Sequence, residues 1–340
     1  MLFQGSVTPT VACGGSQTRG TRSGIPNPGP SGHLVRLFVD MNESLTDKIS
    51  KLKSDRGAVI LAHNYQLPEV QDIADFTGDS LELSRTAAKT DAAVIVFCGV
   101  HFMAETAKIL SPAKTVLIPD PRAGCPMADM ITVEQLREFK GRHPGLPVVA
   151  YVNTSAEVKA ESDICCTSAN AVRIVESVTS DTVLFVPDKS LAAYVASKTT
   201  KRVIPYCGYC PTHHRILAHD VIRVKREHPE ALVVAHPECT MDVIALADSV
   251  ESTSGMVRYV NASPAREFII CTERGLLHRL KTENPDKVFY NPSPVNICPN
   301  MKKITIEKVL WSLEDMQYRI ELAADVIEKA RAAIEGMISV

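Results

Sequence analysis

Three cysteines in this 340-residue chain stand directly before a proline: Cys125, Cys210 and Cys298. They lie 85 and 88 residues apart. Each follows a short apolar run that reads as a strand: Thr115-Val-Leu-Ile-Pro119, Arg202-Val-Ile-Pro205 and Lys287-Val-Phe-Tyr290. Three thiolates brought together from three loops suit a [4Fe–4S] cluster with one iron left open, because soft thiolates are the ligands such clusters take. An open iron is a Lewis acid toward a hydroxyl, carbonyl or carboxylate oxygen. The proline removes a backbone donor and stiffens each loop. One buried cysteine alone would be an ordinary small hydrophobe; three in register are a ligand pattern. Zinc on the three thiolates plus a histidine such as His213 is the alternative. The remaining thiols carry less. Cys207-x-x-Cys210 is a lone CxxC, a weak signal for zinc or redox chemistry. Cys98, Cys165, Cys166, Cys239 and Cys271 sit in or beside apolar runs and read as structural.

The same spacing recurs in residues that handle protons. His63-Asn-Tyr65, Tyr151-Val-Asn153 and His236-Pro-Glu238 each follow an apolar run, at steps of 88 and 85. Histidine and glutamate serve as general acid or base near neutral pH, and tyrosine can donate to a developing oxyanion. A third series is Ser80, Ser168 and Thr253, the last preceded by Ser252, again at 88 and 85. Taken singly these hydroxyls are N-caps. Together, at three helix starts around one cavity, they suit carboxylates or a phosphate. The chain has no GxGxxG and no Walker loop, so a dinucleotide or ATP site has no support.

These positions need a scaffold that repeats three times. From Ser44 onward, helix-like and strand-like segments alternate, and each unit of about 85 residues reads αβαβαβαβ. The short β-branched runs fit parallel strands covered by helices on both faces. The expectation is an α/β fold of three αβα sandwiches, pseudo-threefold related, with short parallel sheets. Ligands of such sheets bind at the carboxyl ends of strands, so the site lies at the central convergence. The expected divisions are repeats at 41–130, 131–215 and 216–303, and a C-terminal helical strap at 304–340, broken near Asp315. Leu310, Trp311, Leu313, Ile320 and Leu322 would form the strap's apolar stripe. Residues 1–40 are set apart, because positions 1–39 hold no Asp or Glu and are rich in Gly, Pro, Ser, Thr and Arg. They read as a disordered extension, with a tag remnant, a misplaced start before Met41 or a targeting segment as alternatives. A net charge of -2 argues against nucleic acid, and no apolar run approaches membrane-spanning length. Ten cysteines at scattered spacings fit a reducing compartment, so the cytoplasm is the expected location.

The run from His63 to Ser80, HNYQLPEVQDIADFTGDS, resembles the opening motif of the quinolinate synthase family. So do Cys125-Pro-Met-Ala, Tyr151-Val-Asn153, Cys166-Thr-Ser-Ala-Asn170, Cys210-Pro-Thr-His213, His236-Pro-Glu-Cys239, Ser252-Thr253 and Asn300-Met-Lys-Lys303. The resemblance runs from about Ser44 to about Lys308. It implies a transferase of NAD biosynthesis that condenses iminoaspartate with dihydroxyacetone phosphate, releasing phosphate and two waters as quinolinate forms. It also implies a functional link to L-aspartate oxidase. The implied cluster ligands are Cys125, Cys210 and Cys298. Tyr65, His236 and Glu238 would move protons. His63, Ser80, Tyr151, Asn153, Ser168, His213, Ser252 and Thr253 would line the substrate cavity. Some members of the family carry CxxCxxC at the third ligand; here Cys298 stands alone, so disulfide control there is not expected. A non-catalytic iron–sulfur sensor is the rival reading, but it would need none of these acid–base groups.

Overall fold

The computed structural model describes residues 44–340. The N-terminal extension expected at 1–40 lies outside the described residues. Three four-stranded sheets are present, every pairing within them is parallel, and each has helices on both faces.

The first unit runs α1 (Leu45–Arg56), β1 (Ala58–His63), α2 (Pro68–Asp72), β2 (Phe76–Gly78), α3 (Ser80–Lys89), β3 (Val94–Cys98), α4 (His101–Leu110) and β4 (Thr115–Leu117). The second runs α5 (Val133–Gly141), β5 (Val148–Tyr151), α6 (Ala156–Ala160), β6 (Ile164–Cys166), α7 (Ala171–Ser177), β7 (Thr182–Val186), α8 (Lys189–Ala196) and β8 (Arg202–Pro205). The third runs α9 (Ala218–Glu227), β9 (Leu232–Ala235), α10 (Met241–Ile244), β10 (Ser249–Val250), α11 (Thr253–Ala262), β11 (Glu267–Cys271), α12 (Leu276–Glu283) and β12 (Val288–Tyr290). In each sheet the unit's second strand lies at one edge and its first, third and fourth strands follow in order. The three αβα sandwiches read from the repeats are therefore what the chain forms. The central strands are buried end to end because both faces are covered: Ile60, Leu61, Ala62, Val148 to Ala150 and Phe268 to Ile270 have no exposed surface.

The repeat extends to a backbone detail. Asp75, Asp163 and Asp248 each stand just before the edge strand of their sheet. Each carboxylate accepts the amide N–H of a first-strand residue: Ile60 at 2.8 Å, Val148 at 2.7 Å and Val233 at 2.7 Å. Each aspartate also donates its own N–H to the carbonyl of the same residue. Such a two-way clamp fixes the register of a strand only two or three residues long.

The C-terminal segment is broken at Asp315, as the sequence suggests, and differs from the expected strap in what fills the break and in which residues are buried. It forms two helices, α13 (Ile306–Asp315) and α14 (Ala324–Ser339). Between them Met316 takes the left-handed conformation and ends α13, and residues 318 and 320 exchange backbone hydrogen bonds with 116 and 118 at the edge of the first sheet. The break is thus a strand-like docking segment rather than a kink. Trp311, placed in the apolar stripe, is 51% exposed; the buried face of α13 is Val309, Leu310 and Leu313. At about 100° per residue Trp311 lies about 200° around the helix from both Val309 and Leu313, on the opposite face, whereas Ser312 turns inward and is buried beside them. Helix α14 packs on α4, α6 and β6, so it ties the first unit to the second.

Candidate active site

The carboxyl ends of the three sheets face one cavity of about 630 Å³ of empty space. His63, Tyr151 and His236 stand at or just beyond the ends of β1, β5 and β9. All three border the cavity, as do Tyr65, Asn153 and Glu238, two residues further along each chain segment. Cys125, Cys210 and Cys298, and Ser80, Ser168, His213 and Thr253, border it as well. Ser252 does not. Its hydroxyl caps α11 by accepting the Gly255 N–H at 3.2 Å and donates to Asp79 at 2.9 Å. Cys207 is exposed and lies outside the cavity.

The three Cys-Pro loops are built alike. A 3-10 turn starts three residues after each cysteine: Ala128–Met130, His213–Arg215 and Met301–Lys303. The cysteine carbonyl accepts from the fourth residue on: Asp129 at 3.1 Å, His214 at 3.0 Å and Lys302 at 3.4 Å. That winding turns the amides of Ala128, His213 and Met301 toward the three sulfurs. Burial pushes the Cys125 thiol up to about 12 and raises those of Cys210 and Cys298, and the amides work against it. These are conditions for a metal-bound thiolate: a dry site that disfavours a free anion, with N–H donors ready for a bound one. The second loop is also pinned from behind. A side chain on Gly208 would put its Cβ 2.6 Å from the Pro187 carbonyl, and the Gly208 carbonyl accepts the Lys189 N–H at 2.8 Å.

The acid–base groups form a connected set. Tyr151 donates to Glu238 Oε1 at 2.6 Å, and His213 Nδ1 lies 2.6 Å from Oε2. The other ring nitrogen of His213 meets Thr272 Oγ1 at 2.8 Å, and the Tyr65 hydroxyl bonds the same Thr272. Burial acts to raise the Glu238 carboxyl. His213 and His236, with the hydrogen bonds from His213 and Tyr151, overcome it and hold Glu238 ionised, below the usual carboxylate range. Burial drives His63 and His236 down to about 3, so both are neutral at physiological pH. Their tautomers follow from the chain. The Tyr65 N–H donates to His63 Nδ1 at 3.1 Å, and the Glu238 N–H to His236 Nδ1 at 3.3 Å. Each Nδ1 is an acceptor, so each Nε2 carries the proton. Burial and the Glu238 charge push both tyrosines well above their usual range, which keeps them as O–H donors. Asn153 Oδ1 is buried without a hydrogen-bond partner among the described residues.

Ser80, Ser168 and Thr253 are not the capping residues of their helices. Asp79 caps α3 and Ser252 caps α11; Asn170 precedes α7. In the first and third units capping and cavity lining are divided between adjacent residues, and in the second no side chain among the described residues caps α7; of the cavity hydroxyls, Thr253 Oγ1 accepts from Asn64 Nδ2 at 2.8 Å.

Three residues that belong to this site went unread in the sequence. Glu273 is fully buried and lines the cavity; Thr272 joins Tyr65 to His213; Asp188, fully buried, caps α8 behind the Cys210 loop. Glu273 and Asp188 lie just past the ends of β11 and β7. The strand-end rule that singled out His63 would have found them had it been applied to the third strand of each unit.

Three αβα sandwiches closed around a cavity that combines three thiols with an ionised carboxylate, neutral histidines and phenols define an enzyme for small molecules. The family model described as NadA, Quinolinate synthetase A protein, matches residues 47–339. A quinolinate synthase of Dehalococcoides mccartyi is 59% identical over 298 residues, 88% of this chain and 99% of that protein. Quinolinate synthase 1 of Methanosarcina acetivorans is 57% identical over 296 residues, 87% of this chain and 97% of its own length. A quinolinate synthase of Thermodesulfovibrio yellowstonii is 57% identical over 294 residues, 86% and 97% respectively. The chain belongs to the quinolinate synthetase A family.

Proposed function

We propose that this enzyme makes quinolinate for NAD synthesis by condensing iminoaspartate with dihydroxyacetone phosphate, with loss of phosphate and two waters. The observation that carries the proposal is the convergence of three identically wound Cys-Pro loops on one acid–base cavity. The donor set fits a [4Fe–4S] cluster. Three thiols, each facing an amide donor, would take one cluster and leave one iron without a protein ligand. When bound, the cluster supplies Lewis acidity toward a substrate oxygen.

The chain's own residues account for binding and proton movement. The hydroxyls of Ser80, Ser168 and Thr253 anchor the phosphate and carboxylates, beside the helix starts that favour anions. The unpartnered Asn153 Oδ1 accepts from a triose hydroxyl or from the imine N–H, and Tyr151 orients the triose. Neutral His63 and His236 donate from Nε2 to a carbonyl or to a departing hydroxyl. Ionised Glu238 is the base for enolisation, and the proton it takes is shared with His213 through the 2.6 Å contact. Tyr65 returns a proton by way of Thr272 and His213. Val100, Phe102, Met103 and Met127 line the apolar side of the cavity and exclude water, which protects the imine from hydrolysis. The nine described cysteines are free thiols, and the proposal places the enzyme in the cytoplasm. Iminoaspartate is then supplied by an oxidase acting on L-aspartate.

A second reading has one specific observation behind it. Ligand atoms of Cys210, His213 and Glu238 lie within 4.8 Å of one another, a spacing a single metal ion could use. The test separates the two. Anaerobically reconstituted enzyme given both substrates should form quinolinate and phosphate in equal amounts, and should contain about four irons per chain. One tightly held metal ion with turnover favours the second reading; no quinolinate from either form overturns the proposal.

A further inference from the structure

The wall of the cavity is thin on the side of the third unit. Four pairs of consecutive residues build it. In each pair one member lines the cavity and its neighbour lines a separate basin of about 900 Å³: Tyr65 and Gln66, Glu273 and Arg274, Cys298 and Ile297, Met301 and Lys302. Three loops thus present one face to the site and the other to the basin, with a wall one residue thick.

The wall has a movable part. The Lys302 ammonium bonds the Tyr65 carbonyl and lies 3.0 Å from the Glu273 carboxylate. The Lys302 side chain is 20% exposed, while Glu273 is fully buried. Glu273 does not depend on Lys302 alone. It also accepts the Cys298 N–H at 3.0 Å and the Gly275 N–H at 2.6 Å. Lys302 can therefore swing away without leaving a buried carboxylate unpartnered, which would be the costly event. Outside, Arg274 and Lys281 are exposed at the basin and make no ion pair or side-chain hydrogen bond among the described residues. Within the wall, the fully buried Gln66 has an Oε1 without a hydrogen-bond donor.

We propose that this basin is the inlet by which small dianions reach the cavity, with Arg274 and Lys281 drawing them in and Lys302 as the latch. The inference rests on the substrate reading above, in which iminoaspartate carries two carboxylates, the triose a phosphate and the product two carboxylates. Free cations around a concave surface raise the local concentration of anions and their rate of association. At the wall the ammonium exchanges the Glu273 carboxylate for the arriving anion, so its charge stays compensated as the side chain turns.

The test is the rate of ligand passage. Quinolinate association and dissociation are measured by surface plasmon resonance on anaerobic holoenzyme, for wild type and for Arg274→Glu/Lys281→Glu. Residues of an inlet change passage, not the bound complex. Association should fall about tenfold at low salt, dissociation should fall by a similar factor, and Kd should stay nearly constant. Added salt should erase the difference. Lys302→Met is the second variant, because it takes away the ammonium at the wall while the Glu273 carboxylate keeps the Cys298 and Gly275 N–H donors. By removing the latch it should raise both rates. Unchanged rates in the charge reversal, or a weakened Kd with unchanged association, overturn the inlet while leaving the substrate reading intact. No binding of quinolinate to the wild type overturns the substrate reading and the inlet's cargo with it.

Discussion

The two ends of the sheets obey the threefold repeat differently. At the amino ends the repeat keeps residue identity: Asp75, Asp163 and Asp248 make the same clamp to the same strand position. At the carboxyl ends it keeps position and changes chemistry. His63, Tyr151 and His236 share one place; Tyr65, Asn153 and Glu238 share the next. The cysteines are identical in all three units there, and Ser80, Ser168 and Thr253 keep a hydroxyl. Holding a short strand in register is one task performed three times, so one residue serves it. On the proposed reading, turning over an unsymmetrical pair of substrates requires different groups at the three ends, and identity at the carboxyl end is retained where one cluster would need three equal ligands.

Breaking the cysteine set should have the largest effect. Cys125→Ser, Cys210→Ser and Cys298→Ser should each drop iron from about four per chain toward zero, whereas Cys207→Ser should keep it. Iron analysis and visible absorbance of anaerobic protein decide this, and an equal loss in Cys207→Ser would show that position within the CxxC, not the repeat, chooses the ligand. Next comes the unsymmetrical set. Glu238→Gln should retain iron and lose on the order of 10²-fold or more in kcat, while near-normal turnover would remove the carboxylate from the chemistry. The three hydroxyls come third. Ser80→Ala, Ser168→Ala and Thr253→Ala should each weaken quinolinate or triose phosphate binding roughly ten- to a hundredfold, as expected for a lost bond to a charged group. The melting temperatures of Ser80→Ala and Ser168→Ala should barely move, because neither hydroxyl caps a helix, whereas Thr253→Ala also loses the buried bond from Asn64 Nδ2 at 2.8 Å and should cost about 1 kcal/mol. A lowered melting temperature with normal affinity would return these hydroxyls to structure.

The amino ends should respond in stability alone. Asp75→Asn, Asp163→Asn and Asp248→Asn should each cost about 1–2 kcal/mol, similar in all three units, with kcat unchanged. Denaturant titration beside steady-state kinetics checks both halves. The smallest effect is one of pH. Burial alone would raise the Asp120 carboxyl, but the hydrogen bonds from Arg122 and Lys308 hold it below the usual carboxylate range. A depressed carboxylate stabilises the fold above its unfolded pKa of about 4, and that contribution is lost as pH falls further. Asp120→Asn should therefore melt earlier than wild type at neutral pH, with the gap closing below about pH 4. A gap that persists in acid would assign the effect to shape rather than charge.

The fold was legible because three copies of one pattern check one another: a strand doubtful in one unit is supported at the same offset in the next. The cysteines and most cavity residues were legible for the same reason. What the sequence hid is local geometry. Ser252 and Thr253 are adjacent hydroxyls, and only backbone dihedrals decide that the first caps the helix and the second faces the cavity. Glu273 and Asp188 look like solvated acids before a helix, and their burial depends on loops from elsewhere in the chain. The aspartate clamps follow the repeat spacing but sit in polar turns, where an acid draws no notice. Trp311 misled because its size suggests a core that α13 does not offer it.

Helix α14 ends against the machinery it closes. The Asn170 side chain donates to the Met337 carbonyl at 2.8 Å, and Arg85 donates to that of Ile338. Asn170 stands two residues from Ser168 at the cavity, and Arg85 lies on the helix that begins at Ser80. All three sheets precede that segment in the chain, so they leave the peptidyl-transferase centre before the segment that stitches the first unit to the second exists. Asn170 and Arg85 therefore gain these partners only once α14 has been made, however early each sheet has formed.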